Sequence, residues 1–223
     1  MAMTVSEALL ERARTELYSA VLSDTLDFLG EMKQAMQPSI RPLDDGSVLC
    51  GRARTAMYME VFHVAHGENP YDLEIALIDD LRPRDVAVMG CGGSTRIAPW
   101  GELLSTTARA RGAVGCVTDG LVRDVKRVRS LGFPVFHGGI APLDSKGRGK
   151  IMAVDVPIAC GGVDVRPGDL VFGDADGVVV VPEALAERTI TLALEKVRGE
   201  NQVAKALREG MSATEAYETF GIM

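Results

Sequence analysis

"DVAVMGCGGSTRIAPWGELLSTTARARGAVGCVTDGLVRDVKRVRSLGFPVFHGG" runs from Asp85 to Gly139, and its reading decides the fold. "DVAVMG" (85–90) is a short apolar run with the length of a buried strand. "WGELLSTTARARG" (100–112) and "VRDVKRVRSLG" (122–132) each read as a helix that stops at a glycine. "AVGCVTDG" (113–120) and "FPVFHGG" (133–139) read as strands. Strand, helix, strand, helix and strand joined by short links predict parallel pairing with right-handed crossovers, so the class is α/β.

The flanks extend this unit. Residues 5–31 read as helix in two pieces, and "SDTLDFLG" offers Ser23 as an N-cap and Gly30 as the residue after the C-cap. "GRARTAMYME" (51–60) reads as a strand, and "NPYDLEIALIDDL" (69–81) as a helix with Pro70 near its start. Residues 150–182 hold several short strands, with turns at Arg166-Pro167-Gly168-Asp169 and Asp174-Ala175-Asp176-Gly177. A long helix follows from about Glu183 to Arg208, then a short tail. No internal repeat and no Pro/Ser-rich linker divides the chain, so residues 1–223 are expected to form a single domain.

Composition narrows the function. The chain has 223 residues, 47% hydrophobic and 25% charged, which suits a globular core and excludes disorder. Its formal net charge of −7 argues against a nucleic-acid binder. No apolar run is long enough to span a bilayer, and the amphipathic N-terminus has no signal-peptide core, so the cytoplasm is the expected location. Cys50, Cys91, Cys116 and Cys160 are widely spaced, which supports neither a zinc site nor a disulfide framework.

Ligands of parallel α/β sheets bind at the carboxyl ends of strands. Two such ends lie close in sequence. The first leads into "GCGGSTRIAPWGELL" (90–104), a long Gly-rich loop ending at a helix N-terminus. The free N–H groups around Gly101, Glu102, Leu103 and Leu104 suit a carboxylate or phosphate. The second leads into "DGLVRD" (119–124), which supplies Arg123 and Asp124. Side by side on a helix, these two would point about 100° apart and pair poorly. An arginine fork fits a carboxylate, and an aspartate binds a hard divalent cation that keeps its waters. Together they outline a site for a small anion that chelates a metal. An ordinary helix start and a surface ion pair are the plain alternative.

Other motifs are weaker. His63 and His66 form HxxH with no third ligand in view, and His137 follows a strand. "GDADG" (173–177) lacks the remaining ligands of a calcium loop and reads as a tight turn. The basic run Arg123, Lys126, Arg127 and Arg129 reads as a solvated helix face, apart from Arg123 at the helix start. The glycines at 90–93 do not fit a dinucleotide fingerprint, and "SKGRGKI" does not fit a P-loop.

At "SDTLD" (23–27), "PWGELLSTTARARGAVGCVTDGLVRDV" (99–125), "GFPVFHGG" (132–139) and "VPIACGGVDVRPGDLVFGDADGVVVVP" (156–182) the chain resembles the RraA-like family. That family includes the metal-dependent 4-hydroxy-4-methyl-2-oxoglutarate / 4-carboxy-4-hydroxy-2-oxoadipate aldolases. The resemblance implies a swivelling, phosphohistidine-domain-like β/β/α fold, assembled as a homotrimer or a hexamer with sites at subunit interfaces. It implies a lyase that cleaves a 4-hydroxy-2-keto acid to pyruvate and also decarboxylates oxaloacetate. Gly101 to Leu104 would give amides to the substrate carboxylate, Arg123 would contact the substrate, and Asp124 would bind Mg²⁺ or Mn²⁺. Glu102, and Glu200 from a neighbouring subunit, would reach the metal through water. The family also holds regulators that inhibit ribonuclease E, and these lack the aspartate after the arginine. Asp124 therefore favours an enzyme over a binding protein that would use the basic helix. "GENPYDLEIALIDD" (67–80) and "MGCGGSTRIAPW" (89–100) depart from the family pattern and point to substrate choice, including the alternative of a different 2-keto acid.

Overall fold

The computed structural model describes residues 5–221. Two helices open the chain, α1 (Glu7–Glu16) and α2 (Ser19–Phe28). Ser6 caps α1 with its side chain, as a helix start favours. Ser23 lies inside α2 rather than at its start. The α2 entry is held instead by Asp174, whose carboxylate accepts from the Ser19 N–H at 2.8 Å and its hydroxyl at 2.7 Å. The α2 exit is as expected: Gly30 has φ +91°, and the Glu31 N–H returns to the Leu26 carbonyl.

The parallel unit is present and one strand longer than expected. β2 (Leu49–Glu60), α3 (Asp72–Asp79), β3 (Asp85–Gly90), α4 (Glu102–Ala110), β4 (Gly115–Val122), α5 (Val125–Leu131) and β5 (Val135–Ile140) follow in turn, with a two-residue β1 (Arg41–Pro42) before them. β2, β3, β4 and β5 pair in parallel. β4 runs two residues later than the sequence suggested, so Arg123 leaves a strand end and does not open a helix.

The rest is antiparallel. β6 (Gly149–Val154), β9 (Leu170–Asp174) and β10 (Gly177–Val181) extend the sheet, giving the order β1-β5-β4-β3-β2-β9-β10 with β6 also on β2. β7 (Ile158–Cys160) and β8 (Val163–Val165) form a separate hairpin. Both expected turns occur, at 166–169 before β9 and at 174–177 between β9 and β10. The sheet curls until its edges approach: Arg41 of β1 donates to the Asp176 carbonyl at 2.8 Å. The mixed α/β class therefore stands, with the long helix α6 (Ala186–Arg208) preceded by a single 3₁₀ turn at Glu183–Leu185. A further helix, α7 (Ala213–Phe220), occupies the expected tail.

Side chains alternate across the strands and build separate cores. Val86 and Val88 of β3, Val171 of β9 and Val178 and Val180 of β10 face inward, where Ile158, Cys160, Val163 and Val165 of the small hairpin cover them. Ala87 and Met89 face the other way, toward α3, α4 and α5, around the fully buried Trp100. Leu170, Phe172, Val179 and Val181 pack beneath α1, α2 and α6. Burial on both faces explains why β3 reads as an unbroken apolar run.

Candidate functional site

β3 and β4 are paired neighbours, so the loops leaving them reach the same edge of the sheet. The loop after β3 divides in two. Its glycine-rich start is tied down by Asp119, which accepts from the N–H groups of Cys91 at 2.5 Å, Gly93 at 3.1 Å and Gly161 at 3.3 Å. Its second half runs along β4: the N–H groups of Leu121 and Arg123 donate to the carbonyls of Ile97 and Trp100, both at 2.9 Å. This pairing delivers the α4 N-terminus beside Arg123 and Asp124.

Trp100 locks the delivery. Its buried indole N–H donates to the Ser105 hydroxyl at 2.8 Å, and that hydroxyl donates to the Gly101 carbonyl at 2.9 Å. Gly101 precedes the helix in extended backbone, and an added Cβ there would lie 2.6 Å from Oδ2 of Asp124 and 3.0 Å from Cγ of Arg123. Glycine is what lets the helix terminus approach so closely.

Asp124 has φ +57° and ψ 30°, the left-handed region that few non-glycine residues occupy. Its carbonyl accepts from Arg127 and Val128 at the start of α5, while its side chain turns back toward α4. Oδ2 accepts from the Glu102 N–H at 3.2 Å and stands 3.7 Å from Nε of Arg123, so the two neighbours do face each other. The turn, absent from a helix, brings them together. Oδ1 has no hydrogen-bond partner among the described residues.

The cleft above these groups holds about 280 Å³. Gly101, Leu103, Leu104, Arg123 and Asp124 line it, and the N–H groups of Leu103 and Leu104 have no acceptor among the described residues. Glu102 sits at the edge, its N–H taken by Asp124 and its carboxylate 3.2 Å from Arg127. Glu200 lies on α6, held by Tyr18 and Lys196, and does not line this cleft. His137 is buried in β5, and His63 and His66 are exposed.

Three lining residues escaped the sequence reading: Tyr71, Glu74 and Asp144. Tyr71 donates to Oδ2 of Asp144 at 2.8 Å, and Oδ1 of Asp144 stands 3.6 Å from Nη1 of Arg123. Burial, helped by the Asp144 contact, pushes the Tyr71 phenol up to about 12. Burial acts to raise Asp144, but hydrogen bonds from Tyr71 and the Lys146 N–H, with the nearby Arg123, bring it below its ordinary value. Glu74 accepts from the Tyr58 hydroxyl at 2.5 Å, and burial raises its carboxyl despite that bond. The "NPYDLE" start of α3 carried the only signal, a polar cluster where the chain departs from its family pattern.

A guanidinium, a carboxylate with a free oxygen and open helix amides converge here. They can hold a small carboxylate and place a divalent ion beside it. Among the described residues no three His, Cys, Asp or Glu side chains cluster to cage a metal. A hard ion that keeps most of its waters needs only one or two carboxylates, and the free Oδ1 of Asp124 fits that demand.

Comparison with known proteins locates these features. The RraA-like family model, Aldolase/RraA, matches residues 19–180. A protein of Halalkalibacterium halodurans named "Putative 4-hydroxy-4-methyl-2-oxoglutarate aldolase" is 35% identical over 196 residues, covering 88% of this chain and 87% of that one. An uncharacterized protein from Pseudomonas syringae superposes with a TM-score of 0.86 at 29% identity, covering 99% and 97% of the two chains. Streptomyces coelicolor RraAS2, described as an unusual member of the RNase ES inhibitor RraA protein family, superposes with a TM-score of 0.78 at 31% identity, covering 89% and 96%.

Proposed function

The chain belongs to the RraA-like (Aldolase/RraA) family, and from that premise we propose that it is a divalent-metal-dependent lyase cleaving a 4-hydroxy-2-keto acid to pyruvate. The observation that carries this reading is the meeting of Arg123, Asp124 and the α4 N-terminus in one cleft. The relative from Halalkalibacterium halodurans, with its aldolase name, supports the reaction class.

Asp124 is the residue that would hold Mg²⁺ or Mn²⁺, with Glu102 at water-bridged range. When bound, the ion supplies Lewis acidity at the keto oxygen of the substrate. The amides of Leu103 and Leu104 receive the substrate carboxylate at the positive end of α4. Arg123 offers its fork to the same anion and balances the negative charge that builds on the C2 oxygen. A proton leaves the C4 hydroxyl, the C3–C4 bond breaks, and the electron pair moves into the three-carbon fragment. Protonation at C3 then yields pyruvate. Loss of CO₂ from oxaloacetate builds the same charge at the same place, so it follows as a second activity. Assembly as a homotrimer or hexamer, with Glu200 reaching a neighbouring cleft, belongs to the same proposal.

The likeness to RraAS2 raises a second reading, a protein that binds a ribonuclease. The basic face of α5 gives it little support: Arg127 pairs with Glu102, and Arg129 donates to the Leu43 carbonyl at 2.8 Å. The deciding experiment is pyruvate release with Mg²⁺ or Mn²⁺ from 4-hydroxy-4-methyl-2-oxoglutarate, 4-hydroxy-2-oxopentanoate and oxaloacetate. Release from any of the three, stopped by EDTA, is the expected result. No release from all three overturns the lyase reading.

A further inference from the structure

Arg123 is the one cation lining the cleft among the described residues, against three carboxylates, Glu74, Asp124 and Asp144. Its fork is already faced from two sides. Nε stands 3.7 Å from Oδ2 of Asp124, and Nη1 stands 3.6 Å from Oδ1 of Asp144. Glu74 and Asp144 come from α3 and from the loop between β5 and β6, not from the two loops that carry the proposed anion and metal groups. They form a second wall, and Tyr58 and Tyr71 hold them in place by donating to Oε2 of Glu74 and Oδ2 of Asp144. Oε1 of Glu74 has no hydrogen-bond partner among the described residues. Ile75 and Leu103 supply carbon surface beside these oxygens.

Charge counting follows from the reading of this cleft as a 2-keto-acid site, on which the inference rests. One guanidinium and one divalent ion give three positive charges. Asp124 and Asp144 remove two, and the carboxylate of the keto acid takes the third. No cation remains for a second carboxylate, which would meet Glu74 and Asp144 at close range with water excluded. Burial holds Glu74 toward its neutral form, which suits a hydrogen bond with a hydroxyl and offers an anion no positive charge.

We propose that the Glu74–Asp144 wall selects 2-keto acids with a single carboxylate and a neutral, hydroxyl-bearing tail, and rejects dicarboxylates. The wall acts as a specificity filter: free carboxyl oxygens accept from substrate hydroxyls, while a second carboxylate is left unpaired beside like charge. On this inference the chain departs from the dicarboxylic acid in the name of its Halalkalibacterium halodurans relative.

The test is calorimetric binding, with Mg²⁺ present, of a matched pair that lacks the C4 hydroxyl and cannot be cleaved. 2-Oxoglutarate carries a distal carboxylate, and 5-hydroxy-2-oxopentanoate carries a hydroxymethyl group in its place. The neutral-tailed ligand should bind at least about tenfold more tightly. Glu74→Gln and Asp144→Asn, each checked for an unchanged melting temperature, should narrow the gap by tightening 2-oxoglutarate alone. Equal or tighter binding of 2-oxoglutarate by the unaltered protein overturns the filter and leaves the keto-acid site standing. A preference that neither variant narrows also overturns it. Failure of both ligands and of pyruvate to bind overturns the keto-acid reading and the filter with it.

Discussion

Gly101 and Asp124 sit so close that a first side-chain carbon on Gly101 would lie 2.6 Å from Oδ2 of Asp124. The obstacle is a held carboxylate, fixed by the Glu102 N–H, so it cannot swing away freely. Gly101→Ala should therefore push the α4 N-terminus and the carboxylate apart with little damage to the core. Pyruvate release should fall by about 100-fold, the scale of loss that a misplacement near 1 Å produces. Wild-type kcat/KM in this variant would show that the close approach has no bearing on the chemistry.

Asp124 plays two parts that substitution can separate. Asparagine tolerates the left-handed backbone and removes the charge, whereas alanine loses both, at a cost of about 1–2 kcal/mol for the backbone. Both variants should lose at least ~100-fold in turnover, but only Asp124→Ala should also melt at a lower temperature. Equal activity with and without EDTA in the unaltered protein would defeat the metal assignment.

Arg123→Lys keeps the charge and removes the fork. Because the guanidinium spans Asp124, Asp144 and the proposed anion, kcat/KM should fall well beyond what a charge-preserving exchange suggests, by about tenfold or more. Steady-state kinetics with oxaloacetate would measure it, and a variant matching the wild type would remove Arg123 from the reaction.

His137 predicts a pH dependence of stability. Burial, with Arg129 nearby, lowers its proton affinity from an ordinary pKa of 6.5, and its Nδ1 has no partner among the described residues. The folded chain keeps the ring neutral while the unfolded chain takes a proton near pH 6.5. Its contribution is therefore full above that pH and lost as pH falls below it. Glu74, raised in the fold, works in the opposite direction but is common to both proteins compared. Thermal melts should show the wild type losing more stability than His137→Gln between neutral and mildly acid pH. Parallel curves would contradict this.

Ser105→Ala should cost about 1–3 kcal/mol, because the Trp100 indole N–H would be left buried without an acceptor. Turnover should fall as well, since the same hydroxyl anchors the Gly101 carbonyl. An unchanged melting temperature would refute the first part.

The parallel unit was legible because its signals are local. β3 is bounded as the sequence suggested, and the helix-ending glycines fall where α4 and α5 stop. Arg123, Asp124 and the α4 N-terminus could be brought together on paper because paired neighbouring strands share an edge. Tyr71, Glu74 and Asp144 could not, since their approach depends on how α3 and the β5–β6 loop settle on that edge, and nothing local encodes it. The turned backbone at Asp124 was hidden for a similar reason: a non-glycine residue rarely adopts it, so the helix was read through. α7 was within reach, because Ser212 and Glu215 form a capping box whose spacing is visible in the sequence.

β2 is shared along its length. β3 pairs with one edge, while β9 takes the first part of the other edge and β6 the last. During synthesis, that second edge emerges long before either partner exists. At roughly 5–20 residues per second, a nascent chain would spend several seconds with a twelve-residue strand open on one side. The parallel unit can assemble early, but the sheet cannot close until Leu170–Asp174 has been made. Recruitment of a chaperone, and slow refolding from denaturant, are the costs of tying the middle of the molecule to its far end.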